Sequence, residues 1–233
     1  MRATFPFISF LALLIVTSCA QDTPFGQDVA GEVKTVTVVG PSDIIFERGD
    51  FEIPTRGTSI DIADGQKLKF GWTAGDTLGI FPNKGNQVEF PISSASGSTT
   101  ASFDGGGWAL RNNSSYAAYY PYSVWNYHRD NETIVLDYSG QVQDGNGSFA
   151  HLSNYDFLAS DKTTPVNSSV TFQMVRQGAI LYIDIVLPEP ETINELTVSC
   201  DEAIFVEKAA LDISGTTPVV TPLETKKSLT LSF

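Results

Sequence analysis

Two histidines, two cysteines, two arginines set before glycine and six clustered aromatic rings are the residues of this chain whose chemistry is worth asking about. His128 and His151 fall in separate loops, with no i, i+4 histidine and no paired cysteines, so a zinc site of ordinary spacing is not encoded. No G-x-S-x-G elbow occurs. The glycine runs Gly105-Gly106-Gly107 and Gly145-Asn146-Gly147 lie between strand patterns, without a helix N-terminus behind them to hold a phosphate. The Asp-Gly pairs at 64, 104 and 144 lack the alternating oxygen ligands of a calcium loop and read as turns. No nucleophile and base converge in the sequence, so no enzyme, metal or cofactor is expected.

Tyr116, Tyr119, Tyr120, Tyr122, Trp125 and Tyr127 form the strongest binding feature. Their faces can stack on sugar rings, with Tyr120, Tyr122, Trp125 and Tyr127 as the candidate glycan-binding set. Amides at Asn112, Asn113, Asn126 and Asn131 stand ready to bond hydroxyls. The competing reading is a strand whose alternation buries Tyr116, Ala118, Tyr120 and Tyr122 as core, and it is preferred because such a strand needs no ligand to explain it. Arg48 and Arg56 each precede a glycine among turn formers, the pattern of a bond open to a trypsin-like protease; ordinary solvated arginines share it.

Cys19 ends an N-terminal stretch in which one Arg precedes a run, Phe5 to Val16, that is apolar except for Ser9. That run is too short for a membrane anchor and fits a signal peptide, and Val16-Thr17-Ser18-Cys19 is a lipobox-like approach to a lipidated cysteine. An ordinary secretory signal with an incidental cysteine is the alternative. Two or more acyl chains on Cys19 would give stable anchoring to a membrane. Lipidation of Cys19 leaves Cys200 unpaired, so no disulfide framework is expected, and Cys200 reads as a small buried hydrophobe. The chain has 233 residues, 42% of them hydrophobic, with 14 Lys plus Arg against 27 Asp plus Glu. A core is affordable in size, and the net charge of −13 gives no general support for gripping nucleic acid or anionic lipid.

The elements that must position these residues are strands. Val33 to Val39, Lys67 to Trp72, Thr77 to Phe81, Gln87 to Ile92, Tyr116 to Tyr122, Thr133 to Tyr138, Val170 to Val175 and Ala179 to Leu187 are short, β-branched and aromatic, and turn signals separate them. With no amphipathic helix to make crossovers, the pattern predicts an all-β, antiparallel β-sandwich. The expected organisation is a signal peptide over 1–18, a lipidated leader with a removable first strand over 19–56, a full N-terminal sandwich over 57–178, and a short or truncated second β domain over 179–233. A compact C-terminus whose last strands close a sheet edge is the other reading of the final segment.

In order, lipobox Cys19, Ile44-Ile45-Phe46, Thr55-Arg56-Gly57-Thr58, the run Phe70 to Phe81 (FGWTAGDTLGIF), Tyr116 to Tyr122 (YAAYYPY) and His151 to Ser160 (HLSNYDFLAS) resemble the fimbrillins of Bacteroidales, subunits of type V pili and related surface lipoproteins. The resemblance covers roughly residues 19–190, and Trp72 to Phe81 is its most telling part. It implies transthyretin-like sandwiches and a lipoprotein precursor carried to the outer membrane and cell surface. An arginine-specific protease would then cut after an Arg beyond the first strand. Arg56 is the matching position and Arg48 the fallback, with Asp43 to Phe51 as the strand that leaves. The partners so implied are that protease, the membrane holding the anchor, and other fimbrial subunits that insert a donor strand. A departure is the segment after Gly178, shorter than the family's second domain, which supplies the usual donor.

Overall fold

In the computed structural model, residues 32–233 are described apart from 42–43, 46–66, 69, 84, 95–96, 127–132, 145–149, 182, 184, 186 and 190. The described chain is all-β. Its strands are β1 (Thr35–Val39), β2 (Ile44–Ile45), β3 (Lys67–Leu68), β4 (Thr77–Pro82), β5 (Val88–Ser94), β6 (Thr100–Phe103) and β7 (Tyr116–Tyr120). They continue with β8 (Ile134–Asp137), β9 (Leu158–Ser160), β10 (Ser169–Arg176), β11 (Glu195–Ser199), β12 (Phe205–Asp212), β13 (Val219–Lys226) and β14 (Ser228–Ser232). Two 3₁₀ turns, Val124–Asn126 and Ala150–Asn154, are the described helical pieces.

The main sheet closes on itself in the order β1-β10-β9-β7-β4-β5-β6, with β1 returning to β6. Smaller sheets are β13-β12-β8, β11-β14 and β2-β3. All neighbours in the barrel run antiparallel except β1 and β10, which are parallel. The expectation of purely antiparallel pairing fails here, and again at the isolated parallel bridge Val142↔Ser232. The link from β1 to β10 is most of the chain instead of a crossover helix, so a parallel neighbour needs no helical pattern in the sequence.

Alternation sorts the side chains. In β7, Tyr116, Ala118 and Tyr120 point into the barrel with Val36, Val38, Trp72, Ile80, Phe90 and Phe172. Ala117 and Tyr119 point outward, where Phe81, Ala159, Ile134, Leu136, Ala209, Leu211 and Ile213 form a second apolar cluster. That cluster is covered by β8 and β12, which pair directly from Lys208↔Asp137 to Leu211↔Ile134. Residues on both sides of position 178 thus share one sheet. A strand buried on both faces reads as a continuous apolar run, which is why YAAYY has no polar member in alternation.

One expected strand is different. Among the described residues of Ala179 to Leu187 none lies in a strand, and Leu181, Ile183, Ile185 and Leu187 are 58%, 41%, 40% and 38% exposed. The period of two is present in the sequence, but strand pairing also needs a neighbour, and no ladder partner is found among the described residues. Lys67 to Trp72 is likewise shorter in pairing than in pattern. Among its described residues only Lys67 and Leu68 pair, with Ile45 and Ile44, while Phe70 and Trp72 are core side chains outside any strand.

Candidate functional site

Three segments of the resemblance that are described, Phe70 to Phe81, Tyr116 to Tyr122 and His151 to Ser160, contribute side chains to the barrel core. Trp72 is fully buried, meets Phe70, Phe103 and Tyr120 edge-on at 4.8, 5.3 and 5.4 Å, and donates its indole N–H to the Thr99 carbonyl at 3.0 Å. Gly75 then takes φ +98°, a conformation that favours glycine, and turns the chain so that buried Asp76 faces back. Asp76 accepts the Thr73 N–H at 2.8 Å and the Tyr120 hydroxyl at 3.0 Å. Burial pushes its carboxyl up from the ordinary value, while those hydrogen bonds pull the other way. In the third segment, Ser160 Oγ accepts the Ala118 N–H at 3.0 Å. Asp156 there binds Arg176 through two contacts, 2.9 and 3.1 Å, with both side chains largely buried. Burial raises the Asp156 carboxyl and the Arg176 charge opposes that.

Around this pair lies a cleft of about 40 Å³ lined by Tyr138, Leu152, Tyr155, Gly178 and Ile180 as well. It holds a few waters at most and is far below the several hundred Å³ of a small-molecule site. The nearby imidazole of His151 has its Nδ1 buried without a partner, and burial lowers its basicity. Arg176 also lies 5.7 Å from the Phe70 ring centroid. These groups close one part of the barrel and offer no reactive arrangement.

The strand that closes the barrel is β1. It sits between β10 and β6, in register from Thr35↔Ser169 to Val39↔Gln173 on one side and from Val36↔Phe103 to Val39↔Thr100 on the other. Val38 is fully buried and Val36 is 7% exposed. Burying each valine is worth about 1.5–3 kcal/mol, so the two alone are comparable with a large part of a domain's net stability of about 5–15 kcal/mol. Loss of β1 would bare an apolar slot and two unpaired strand edges. The alternation in Val36-Thr37-Val38 was a signal for this, but the expected leaving strand was Asp43 to Phe51. Of that stretch only Ile44 and Ile45 are described, in a two-residue pairing with β3, and the first strand seated in the barrel is β1.

The candidate residues separate as follows. Cys19, Arg48, Arg56 and Tyr127 lie outside the described residues, as do His128 and Asn131. Tyr120 is 5% exposed with its ring against Trp72, so it presents no face to a sugar; the core reading holds for Tyr116, Ala118 and Tyr120 but not for Tyr122, which lies beyond β7. Tyr122 is half-buried and Trp125 is 87% exposed. Asn112 lies in the turn before β7, bonded to Ser168, whereas Asn126 follows the strand and is buried against Tyr119. Among the described members of the glycan-binding set, Trp125 is the one fully outward ring. Cys200 is half-buried, unpaired, and tied by its N–H to the Lys227 carbonyl at 2.8 Å.

Tyr119 explains how the turn after β7 is held. Its hydroxyl meets Gln87 Oε1 at 2.6 Å, the Ser123 N–H at 3.1 Å and the Asn126 side-chain amide at 3.2 Å, and Gln87 Nε2 donates to the Ser123 carbonyl at 2.7 Å. No local sequence signal ties Gln87 to this network or Asp156 to Arg176, because those partners are far apart in the chain. Among the described residues no helix is long and apolar enough to cross a membrane, and no three His, Cys, Asp or Glu side chains gather as a metal site. No protein-family model, no curated protein and no solved structure matches this chain.

Proposed function

We propose that this chain is a fimbrillin-like structural subunit of a cell-surface fimbria, with a role in adhesion, anchored first through lipidated Cys19 and assembled by strand exchange after an arginine-specific cut at Arg56, or at Arg48 instead. The barrel with its outer sheet β8-β12-β13 is taken as a closed variant of the transthyretin-like sandwich. The observation that carries the reading is the seat of β1. This strand closes the barrel, fills it with Val36 and Val38, and precedes both arginines in sequence. A cut at either arginine separates β1 covalently from the nine later strands of the barrel and outer sheet that follow residue 70. Only non-covalent pairing would then keep it in place. A strand from another subunit that supplied the same two ladders and two apolar side chains would be an energetically matched replacement, which is β-augmentation.

Treatment of the folded full chain with a trypsin-like, arginine-specific protease is expected to give one early cut after Arg56 or Arg48, and the double variant Arg48→Ala/Arg56→Ala should resist it. The cut chain should then form larger species by light scattering, and a synthetic peptide spanning residues 32–41 in excess should suppress them by refilling the β1 seat. A chain that is not cut at either arginine, or that stays monomeric after cutting, overturns the proposal.

A further inference from the structure

The turn that follows β7 is built as a platform. Val124 and Trp125 are 60% and 87% exposed, yet the residues on either side of them are pinned. Ser123 donates its N–H to the Tyr119 hydroxyl, its carbonyl accepts from the Gln87 amide, and buried Asn126 donates to the same hydroxyl. The backbone closes as well, Asn126 N–H to the Ser123 carbonyl at 3.1 Å, and Tyr122 N–H to the Thr77 carbonyl at 3.0 Å. An indole held out on a rigid turn has already lost the backbone freedom that binding would otherwise remove.

We infer that Trp125 is the stacking platform of a binding site for a neutral sugar ring. Size argues for a sugar. Two side chains, Val124 and Trp125, offer a fraction of the roughly 800 Å² per partner that a stable protein interface takes. A pyranose, in contrast, has one apolar C–H face of about the area of an indole. Charge argues against a membrane, because interfacial binding draws on anionic lipid and this chain has a net charge of −13. The same charge argues for a neutral ligand over an acidic one, and residues 121–126 contain no charged side chain. The loop between β4 and β5 is tied to this turn through Gln87, bonded to Ser123, and the residue before it, Asn86, is an exposed amide. The inference stands apart from strand exchange, since Trp125 is on the intact barrel and needs no cut.

The test is an array of neutral and acidic oligosaccharides probed with the uncut full chain, followed by titration of the best neutral binder while tryptophan emission is recorded. Binding to neutral glycans is expected, with a blue shift of the emission as Trp125 leaves water. Trp125→Ala should weaken it about tenfold or more, and Trp125→Phe, which keeps a ring face, should lose less. Because Trp125 is exposed, an unchanged urea midpoint for Trp125→Ala would show that the loss is not unfolding. No neutral glycan bound, binding confined to acidic glycans, or equal binding by Trp125→Ala overturns the assignment.

Discussion

Gly79 has no side chain because Tyr119 fills the space where one would be. A Cβ there would fall 2.0 Å from Tyr119 Cε1 and 2.8 Å from Gln87 Oε1. The ring cannot step aside cheaply, since its hydroxyl is fixed by Gln87, Ser123 and Asn126 and its face stacks on Phe81 at 6.0 Å. Overpacking a site of this kind costs about 1–3 kcal/mol, and the pinned ring puts Gly79→Ala at the upper end of that range. Urea denaturation is the measurement; a change below about 0.5 kcal/mol, the usual size for a neutral surface site, would mean that the network yields instead. The Gly79 position follows from sequence only in part. A glycine inside an apolar strand pattern signals close approach, but which ring approaches is set by the pairing Gly79↔Tyr119, a contact between distant residues.

Long runs of period two were legible where the strand has partners, whereas the paired strands β6, β9 and β13 were not read from sequence. Thr77 to Phe81, Gln87 to Ile92, Tyr116 to Tyr122 and Val170 to Val175 all fall on β4, β5, β7 and β10 within a residue or two, because period two and β-branched composition coincide with real ladders. Ala179 to Leu187 carries the same period and has no ladder among the described residues, and sequence alone cannot distinguish a strand from a strand awaiting a partner. The joint between barrel and outer sheet was also hidden. Tyr138, just beyond β8, donates its hydroxyl to the Gln177 carbonyl at 3.3 Å and packs edge-on against Phe157 at 5.1 Å, linking β8 to the end of β10. Burial, and then the Asp156 charge, pushes its phenol up to about 12. The folded chain therefore holds this proton at pH values where the unfolded chain, with an ordinary phenol near 10, releases it. Its contribution is fully present below pH 10 and is lost as pH rises through 12. Tyr138→Phe should cost about 1 kcal/mol at neutral pH, from the lost hydrogen bond. It should also flatten the decline of the urea midpoint between pH 10 and 12 relative to wild type; an equally steep decline would remove Tyr138 from the account.

At the scale of the whole molecule, apolar surface is distributed unevenly, and the imbalance bears on assembly. The barrel buries its core completely, while Leu181, Ile183, Ile185 and Leu187 stand exposed at alternate positions and β13 is exposed along its whole length. β13 is blunted as an edge by Pro222, Glu224 and Lys226, which discourage pairing. The 181–187 row has no such guard on its described residues. Its period matches what the β1 seat demands, where inward Val36 and Val38 are also two residues apart. A chain whose exposed row can occupy the β1 seat of another chain would polymerise after cleavage and stay soluble before it, because the seat is filled until then. Ile183→Ser/Ile185→Ser separates this from a simple packing role. If the row serves assembly, the uncut double variant keeps its urea midpoint within about 0.5 kcal/mol of wild type, as exposed positions do, while the cut variant no longer forms larger species by light scattering. If the row instead completes the fold of its own chain, replacing two buried isoleucines costs several kcal/mol before any cut is made, and its role in assembly is excluded.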